Sequence, residues 1–195
     1  MSESNGGPGV MEAESATPKL PEAVQVSDRV SARRGTMDDV DLIVALSADS
    51  DVTHNIPWAR ILAAGEKTPD ESMASWVEKW DEGKQFRYVV EVDGQPAGYF
   101  GVWRSVGQEH LIETGSAMLE NYRGQGVIPE VAAAVEPHIV EQLGMTELVS
   151  HVRPTNESSQ RQLLKRGYTD TGATRVDSEG NETMIFRKSL GDGEE

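Results

Sequence analysis

The stretch that most restricts what this chain can fold into runs from 110 to 143. HLIETGSAMLE has the mixed apolar pattern of a strand, and Gly115 within it marks a bulge or a close approach of another group. ENYRGQGV follows. After Gly126, residues Ile128, Ala132, Val135, Ile139 and Leu143 recur at helical spacing, with Gly144 placed to cap the end. A strand, a glycine turn and a long one-faced helix in direct succession need a sheet and a helical layer packed on it, which is an α/β architecture.

The rest of the chain supplies that sheet. VSARRG reads as a short strand, and TMDDVDLIVALSAD as a helix with Thr36 and Asp39 at its capping positions. DVTHNIPWAR has no clear period and contains Pro57, so a loop or a broken helix is expected. In TPDESMASWVEKWDEG, Thr68 with Glu71 forms a capping box, and Met73, Trp76, Val77 and Trp80 make one apolar stripe, read as core. QFRYVVEVDGQPAGYFGVWRS is a hairpin about Asp93-Gly94. TELVSHV is a strand, NESSQRQLLKRG a short helix, and YTDTGATRV with ETMIFRKSL a final hairpin. The expected order is β-α-α-β-β-β-α-β-α-β-β, a single mixed α/β domain with a mostly antiparallel sheet flanked by helices.

The 195 residues suffice for one domain with a core and tails. Residues 1–26, rich in Ser, Glu, Gly and Pro, are expected to be disordered, 27–190 to fold, and 191–195 to form an acidic tail. The formal net charge is −15, of which each tail supplies only −3, so the folded part is acidic too. Such a surface repels nucleic-acid backbones and argues against DNA or RNA partners. It serves solubility and also favours a cationic ligand. The absence of cysteine removes disulfides, thiolate nucleophiles and cysteine metal sites, and no metal is expected. The N-terminus lacks the basic and apolar regions of a signal peptide, and no apolar run reaches membrane-span length. A soluble, cytoplasmic protein without a membrane partner is expected.

Gly124 and Gly126 could form a phosphate cradle or merely a turn. No Gly-x-x-x-x-Gly-Lys-Ser/Thr occurs, and the third glycine of a dinucleotide fingerprint is replaced by Pro129. A simpler anion site remains. The free N–H groups of the helix's first turn, with its dipole, favour negative charge, and Arg123 can add a contact. Arg153, Arg161, Lys165 and Arg166 cluster downstream, as either a polyanion site or a solvated helix face.

These features together carry a resemblance. YRGQGVIPEVAAAVEPHIVEQLGMTELVSHVRPTNESSQRQLLKRGY resembles the acetyl-CoA binding core of the GCN5-related N-acetyltransferases (GNAT), in the RimJ/RimL-like branch that acetylates ribosomal-protein N-termini. Arg123 and Gly126 match that family's Gln/Arg-x-x-Gly-x-Gly/Ala pattern, and Ile128 departs from it. Asn156 and Ser159 match its Asn-x-x-Ser, Lys165, Gly167 and Tyr168 its Lys-x-Gly-aromatic ending, Glu113 and Gly115 its Glu-x-Gly, and Arg33, Thr36 and Asp39 its opening Arg-x-x-Thr-x-x-Asp.

The resemblance implies an acetyl-CoA-dependent N-acetyltransferase acting on a primary amine, a protein N-terminus or a small cationic amine. A homodimer is among the expected assemblies. The pyrophosphate would lie on the turn of Arg123, Gly124, Gln125, Gly126, Val127 and Ile128, with Asn156, Ser159 and Lys165 nearby. The pantetheine arm would pair with the strand near Met118 and Leu119, where a backbone N–H would serve the oxyanion. Glu113 is the first candidate for general base, with His54, His110 and His151 as rivals. The tyrosine acid of many relatives is replaced by Leu163, which leaves Ser159 or water. The first two helices and DVTHNIPWAR would shape the acceptor pocket, with Trp58 and His54 lining it. The alternative is a non-catalytic CoA-binding sensor or interaction module on the same fold.

Overall fold

The computed structural model describes residues 19–105, 108–177 and 179–191, with the backbone alone for 108–110. The strands are β1 (Ala23–Gln25), β2 (Val30–Arg34), β3 (Gln85–Val92), β4 (Gln95–Ser105), β5 (Gln108–Met118), β6 (Glu147–Val152), β7 (Thr169–Val176) and β8 (Glu182–Ser189). The helices are α1 (Val40–Ala48), α2 (Ser50–Asn55), α3 (Pro57–Ala63), α4 (Pro69–Asp81), α5 (Val127–Leu143) and α6 (Glu157–Lys165). The eight strands form one sheet in the order β1-β2-β3-β4-β5-β6-β8-β7. Every pairing is antiparallel except β5 with β6. The mixed α/β architecture read from the sequence is the one observed.

Two differences have simple physical causes. DVTHNIPWAR is neither loop nor single helix: α2 ends at Asn55, Ile56 is extended, and Pro57 opens α3. Proline lacks the N–H that a helix interior needs but suits a first turn, so it splits the segment. The expectation of disorder over 1–26 is corrected at its end. Residues 23–25 pair with β2 as β1, and Leu20 is buried. Three residues with no apolar stripe fold there because β2 offers a free edge, with Pro21 accepting from the Tyr88 hydroxyl at 2.9 Å. Residues 1–18 and 192–195 lie outside the described residues.

Strand alternation divides the core in two. Tyr88, Phe100 and Ile112 face α5 and pack with its Val131, Val135 and Ile139. Val89, Tyr99 and Ala117 face the other way, against α1, α3 and α4. The α4 stripe serves both layers. Trp76 packs with Tyr99 and Trp58, with ring centroids 5.3 and 5.5 Å away. Trp80 sits edge-on to Phe86 and Tyr88 at 5.2 and 4.9 Å. The capping box at Thr68 is formed, with Glu71 accepting from the Thr68 N–H at 2.8 Å.

Candidate active site

The sheet opens at its centre. β5 and β6 are in register only at Ile112 with Leu148 and Glu113 with Val149, and then they part. The Ser150 hydroxyl still reaches the Thr114 carbonyl at 3.1 Å across the start of the fork. Alternate residues of a strand turn their N–H and C=O to opposite neighbours. The Leu119 N–H donates to Ala97 beside β4, so Ser116 and Met118 turn theirs toward the gap that β6 has left. Of the two residues expected to meet a pantetheine arm, Leu119 therefore has its amide engaged, whereas Met118 faces the fork. The Met118 carbonyl accepts from Arg123 Nε at 2.9 Å.

Above the fork lies the glycine turn. Gly124 and Gly126 take φ of +73° and +80°, the left-handed region that a side chain makes costly. Gly126 is the residue immediately before α5, so the N–H groups of Val127 and Ile128 have no acceptor within the helix. Pro129, third in the helix, removes one further donor, and Glu130 donates back to Gly126 at 3.3 Å. A side chain built at Gly124 would meet nothing within 4 Å, so the turn is open to a ligand. Ile128, where the motif departs from the family, turns its side chain into the core and does not crowd the turn.

Arg123 does not face this turn. Its guanidinium bridges Asp49 at 2.5 Å and Asp51 at 3.1 Å, tying the turn to the α1–α2 junction. The downstream basic residues also disperse, which removes the reading of a single polyanion cluster. Arg153 lies on the opposite sheet face, donating to the His54 carbonyl at 2.7 Å. Arg161 pairs with Glu157 one helical turn away, and Arg166 turns inward to the buried Glu136 at 3.3 Å. Lys165 stays exposed on α6. Asn156 caps α6 by accepting from the Ser159 N–H at 3.2 Å, which fixes the first turn carrying the Ser159 side chain. Leu163 is buried in the core.

Glu113 stands at the last paired register, on the face opposite α5. His151, two residues beyond its β6 partner Val149, donates from Nδ1 to Glu113 Oε1 at 3.0 Å. Arg175 reaches His151 Nε2 at 3.4 Å from β7. An acceptor on one side and a donor on the other fix the imidazole as the Nδ1–H tautomer, with its remaining lone pair turned to Arg175. Glu113 keeps its second oxygen. The pair is only 20% and 11% exposed at the side chains, a sheltered site rather than a rim. The His110 side chain lies outside the described residues.

A lid of polar contacts borders this face. Arg60 on α3 and Arg153 just after β6 both engage Glu179 in the β7–β8 turn, the latter at 3.6 Å. Trp58 donates to the Tyr99 hydroxyl at 3.3 Å. Sequence reasoning missed Arg87 and Trp103 on this face, and it named Tyr168 only as part of a motif. The Tyr168 hydroxyl meets Thr114 Oγ1 at 2.9 Å beside the fork, and burial raises its pKa. Arg87 and Trp103 lie against each other on the sheet face that carries Glu113, with the Trp103 ring over Gly101 and Gly115. Nothing in the sequence distinguishes Arg87 from a solvent-facing strand residue. Among the described residues no group of three or more His, Cys, Asp or Glu could hold a metal ion.

Residues 29–169 match the family model for the acetyltransferase (GNAT) domain. The chain belongs to the GNAT acetyltransferase family. Its fold is that of RimL, the ribosomal L7/L12 alpha-N-protein acetyltransferase solved with coenzyme A, at 14% identity and TM-score 0.74 over 87% of this chain and 98% of that one. The microcin C7 self-immunity acetyltransferase MccE, solved with acetyl-CoA and AMP, superposes at TM-score 0.73 and 12% identity over 88% and 98% of the two chains. Mycobacterium smegmatis RimJ, solved with a CoA disulfide, does so at 0.68 and 15% over 87% and 88%. No curated protein sequence matches the chain. No described helix is long and apolar enough to cross a membrane.

Proposed function

We propose that this GNAT chain moves the acetyl group of acetyl-CoA to a primary amine, the α-amino group of a protein N-terminus or of a small molecule. The observation that carries this reading is the fork between β5 and β6 with the Glu113–His151 pair at its apex. Acetyl-CoA supplies an activated thioester. The chain's own groups bind, orient and move protons around it.

The amides of Gln125, Gly126, Val127 and Ile128 would hold the pyrophosphate, helped by the α5 dipole, with Asn156 and Lys165 on the flank. Arg123 would act one step back, holding the turn in place against Asp49 and Asp51. Ser116 and Met118 would pair with the pantetheine amides as a missing strand would. The Met118 N–H would donate to the carbonyl oxygen as charge develops on it.

An amine enters from the face of Glu113. At neutral pH it is mostly protonated, and the free oxygen of Glu113, directly or through water, takes its proton. His151 holds the carboxylate in place rather than acting as base, since its second nitrogen faces Arg175. The nitrogen attacks the thioester carbon, the C–S bond breaks, and the thiolate accepts a proton from Ser159 or water. A thiol pKa near 8.5 makes a weak donor sufficient. The buried Leu163, where relatives carry a tyrosine, favours a second reading as a CoA sensor without turnover. Thiol release from acetyl-CoA over a panel of peptides, polyamines and amino compounds separates the two. Turnover that collapses in Glu113→Gln supports the enzyme, and CoA-dependent stabilisation without turnover on any amine supports the sensor.

A further inference from the structure

A second charged feature lies on the acceptor face, and the mechanism above does not use it. Arg87 on β3 is half-buried, with its guanidinium 4.9 Å from the Trp76 ring centroid and 5.9 Å from that of Trp103. Its Nε is buried without a hydrogen-bond partner, and so are Trp76 Nε1 and the neighbouring Gln85 Oε1. Among the described residues no carboxylate lies within ion-pair distance of Arg87 or of Lys79 on α4, whose ammonium feels the repulsion of Arg87 and Lys67 and the weaker attraction of Glu78 and Glu82. Burial lowers the pKa of both. In a chain of net charge −15, where most arginines have found carboxylates, two neighbouring cations and an indole donor with no ion-paired carboxylate among the described residues are an exception. Leaving a buried charge unpaired is costly, and such groups persist where a ligand completes them.

Their position relates to the fork. Arg87 pairs with Gly101, and Gly101 with Gly115, so the three stand in one row across β3, β4 and β5. The Trp103 ring lies over both glycines: a Cβ would come within 2.7 Å of it at Gly101 and 2.9 Å at Gly115. The glycines and the indole make a flat floor from Arg87 to the strand that carries Glu113. Two strand spacings amount to about 10 Å.

We propose that Arg87, supported by Lys79, binds an anionic group of the acetyl acceptor, so that the acceptor is an amine whose own molecule carries a carboxylate or phosphate about 10 Å from the nitrogen. A three-residue peptide with a free C-terminus has that reach, at about 3.4 Å per residue. The acid surface and the Glu113 end receive the cationic amine, while the Arg87 end receives the anion. This rests on acetyl transfer at the fork, and the test below separates the two.

Triglycine, triglycine amide and 6-aminohexyl phosphate, whose amine and anion are the same number of bonds apart as in triglycine, are titrated calorimetrically into the full chain without acetyl-CoA. A charge-assisted contact predicts that one or both anionic probes bind about 10-fold or more tightly than the amide. Arg87→Gln abolishes that preference with CoA affinity intact, and Lys79→Gln, on a partly exposed helix position, reduces it several-fold. Equal binding of all three probes to the wild type, no binding of either anion, or a full preference surviving in Arg87→Gln or Lys79→Gln overturns the proposal. Preference for carboxylate alone or phosphate alone supports it and identifies the anion. A clear preference without acetyl transfer to triglycine upholds the anion site and removes the transfer reading. Transfer at equal efficiency to triglycine and its amide, with no difference in binding, does the reverse.

Discussion

Gly126→Ala tests the glycine turn with a matched control in the same helix. Gly126 precedes α5 at φ 80° and ψ 2°, and Gly144 ends it at φ 64° and ψ 25°. A methyl group added at Gly126 comes no closer than 3.9 Å to the Glu130 carboxylate, and one at Gly144 meets nothing within 4 Å. Neither substitution creates a clash, so both carry the left-handed backbone penalty alone, about 1–2 kcal/mol. Urea unfolding followed by tryptophan fluorescence should show that loss in full for Gly144→Ala and only in part for Gly126→Ala, whose turn relaxes. Their CoA affinities should differ. Rotation of the amides of Val127 and Ile128 away from the ligand relieves strain in the free Gly126→Ala protein, and the relieved part must be restored on binding, which lowers CoA affinity by up to about 30-fold in calorimetry. Gly144→Ala, at the far end of the helix, should bind CoA as the wild type does. Equal CoA affinity in both variants, with Gly126→Ala losing less stability than Gly144→Ala, would refute the assignment of the pyrophosphate to this turn.

Glu113→Gln keeps the size of the side chain and an acceptor for His151. It should lower acetyl transfer by about 10²–10⁴-fold in a thiol-release assay while calorimetric CoA affinity stays unchanged. Trp80→Ala empties a site 1% exposed between Phe86 and Tyr88, and should destabilise by about 3–5 kcal/mol in urea melts. Asp39 is the acid-sensitive anchor. Burial opposes its charge, but two Arg33 nitrogens, at 2.7 and 2.9 Å, and the Thr36 N–H lower its pKa. A lowered folded pKa means that this stabilisation is full above the unfolded value near 3.9 and is lost as pH falls through the folded one. Thermal melts should show the wild type losing stability through that window, and Asp39→Asn, weaker at neutral pH, losing less.

The helices and strands were legible wherever one period dominated. The α4 stripe, the Asp93-Gly94 hairpin and the strand–turn–helix around Gly126 each carried their own signal, local in sequence and strong in spacing. The breaks came where a neighbour decides the structure. β1 has no pattern of its own and forms because the β2 edge is there to pair with. Arg123 has the right type and position for an anion, yet Asp49 and Asp51, more than seventy residues earlier, claim its guanidinium. Glu113 could be singled out from its place on the central strand. Its pairing with His151 depends on the parallel register of β5 and β6, which no local pattern encodes. Arg87 is invisible for the same reason: its isolation is a property of what three strands and α4 fail to bring near it.

The central claim is acetyl transfer to nitrogen at the β5–β6 fork. The most direct measurement is mass spectrometry of an amine and peptide panel after incubation with the full chain and acetyl-CoA labelled in its acetyl group. The account predicts labelled acetyl on the amine nitrogen of at least one acceptor, one free CoA per acetyl moved, and loss of the product with Glu113→Gln. CoA binding to the chain with no labelled product on any amine would contradict it.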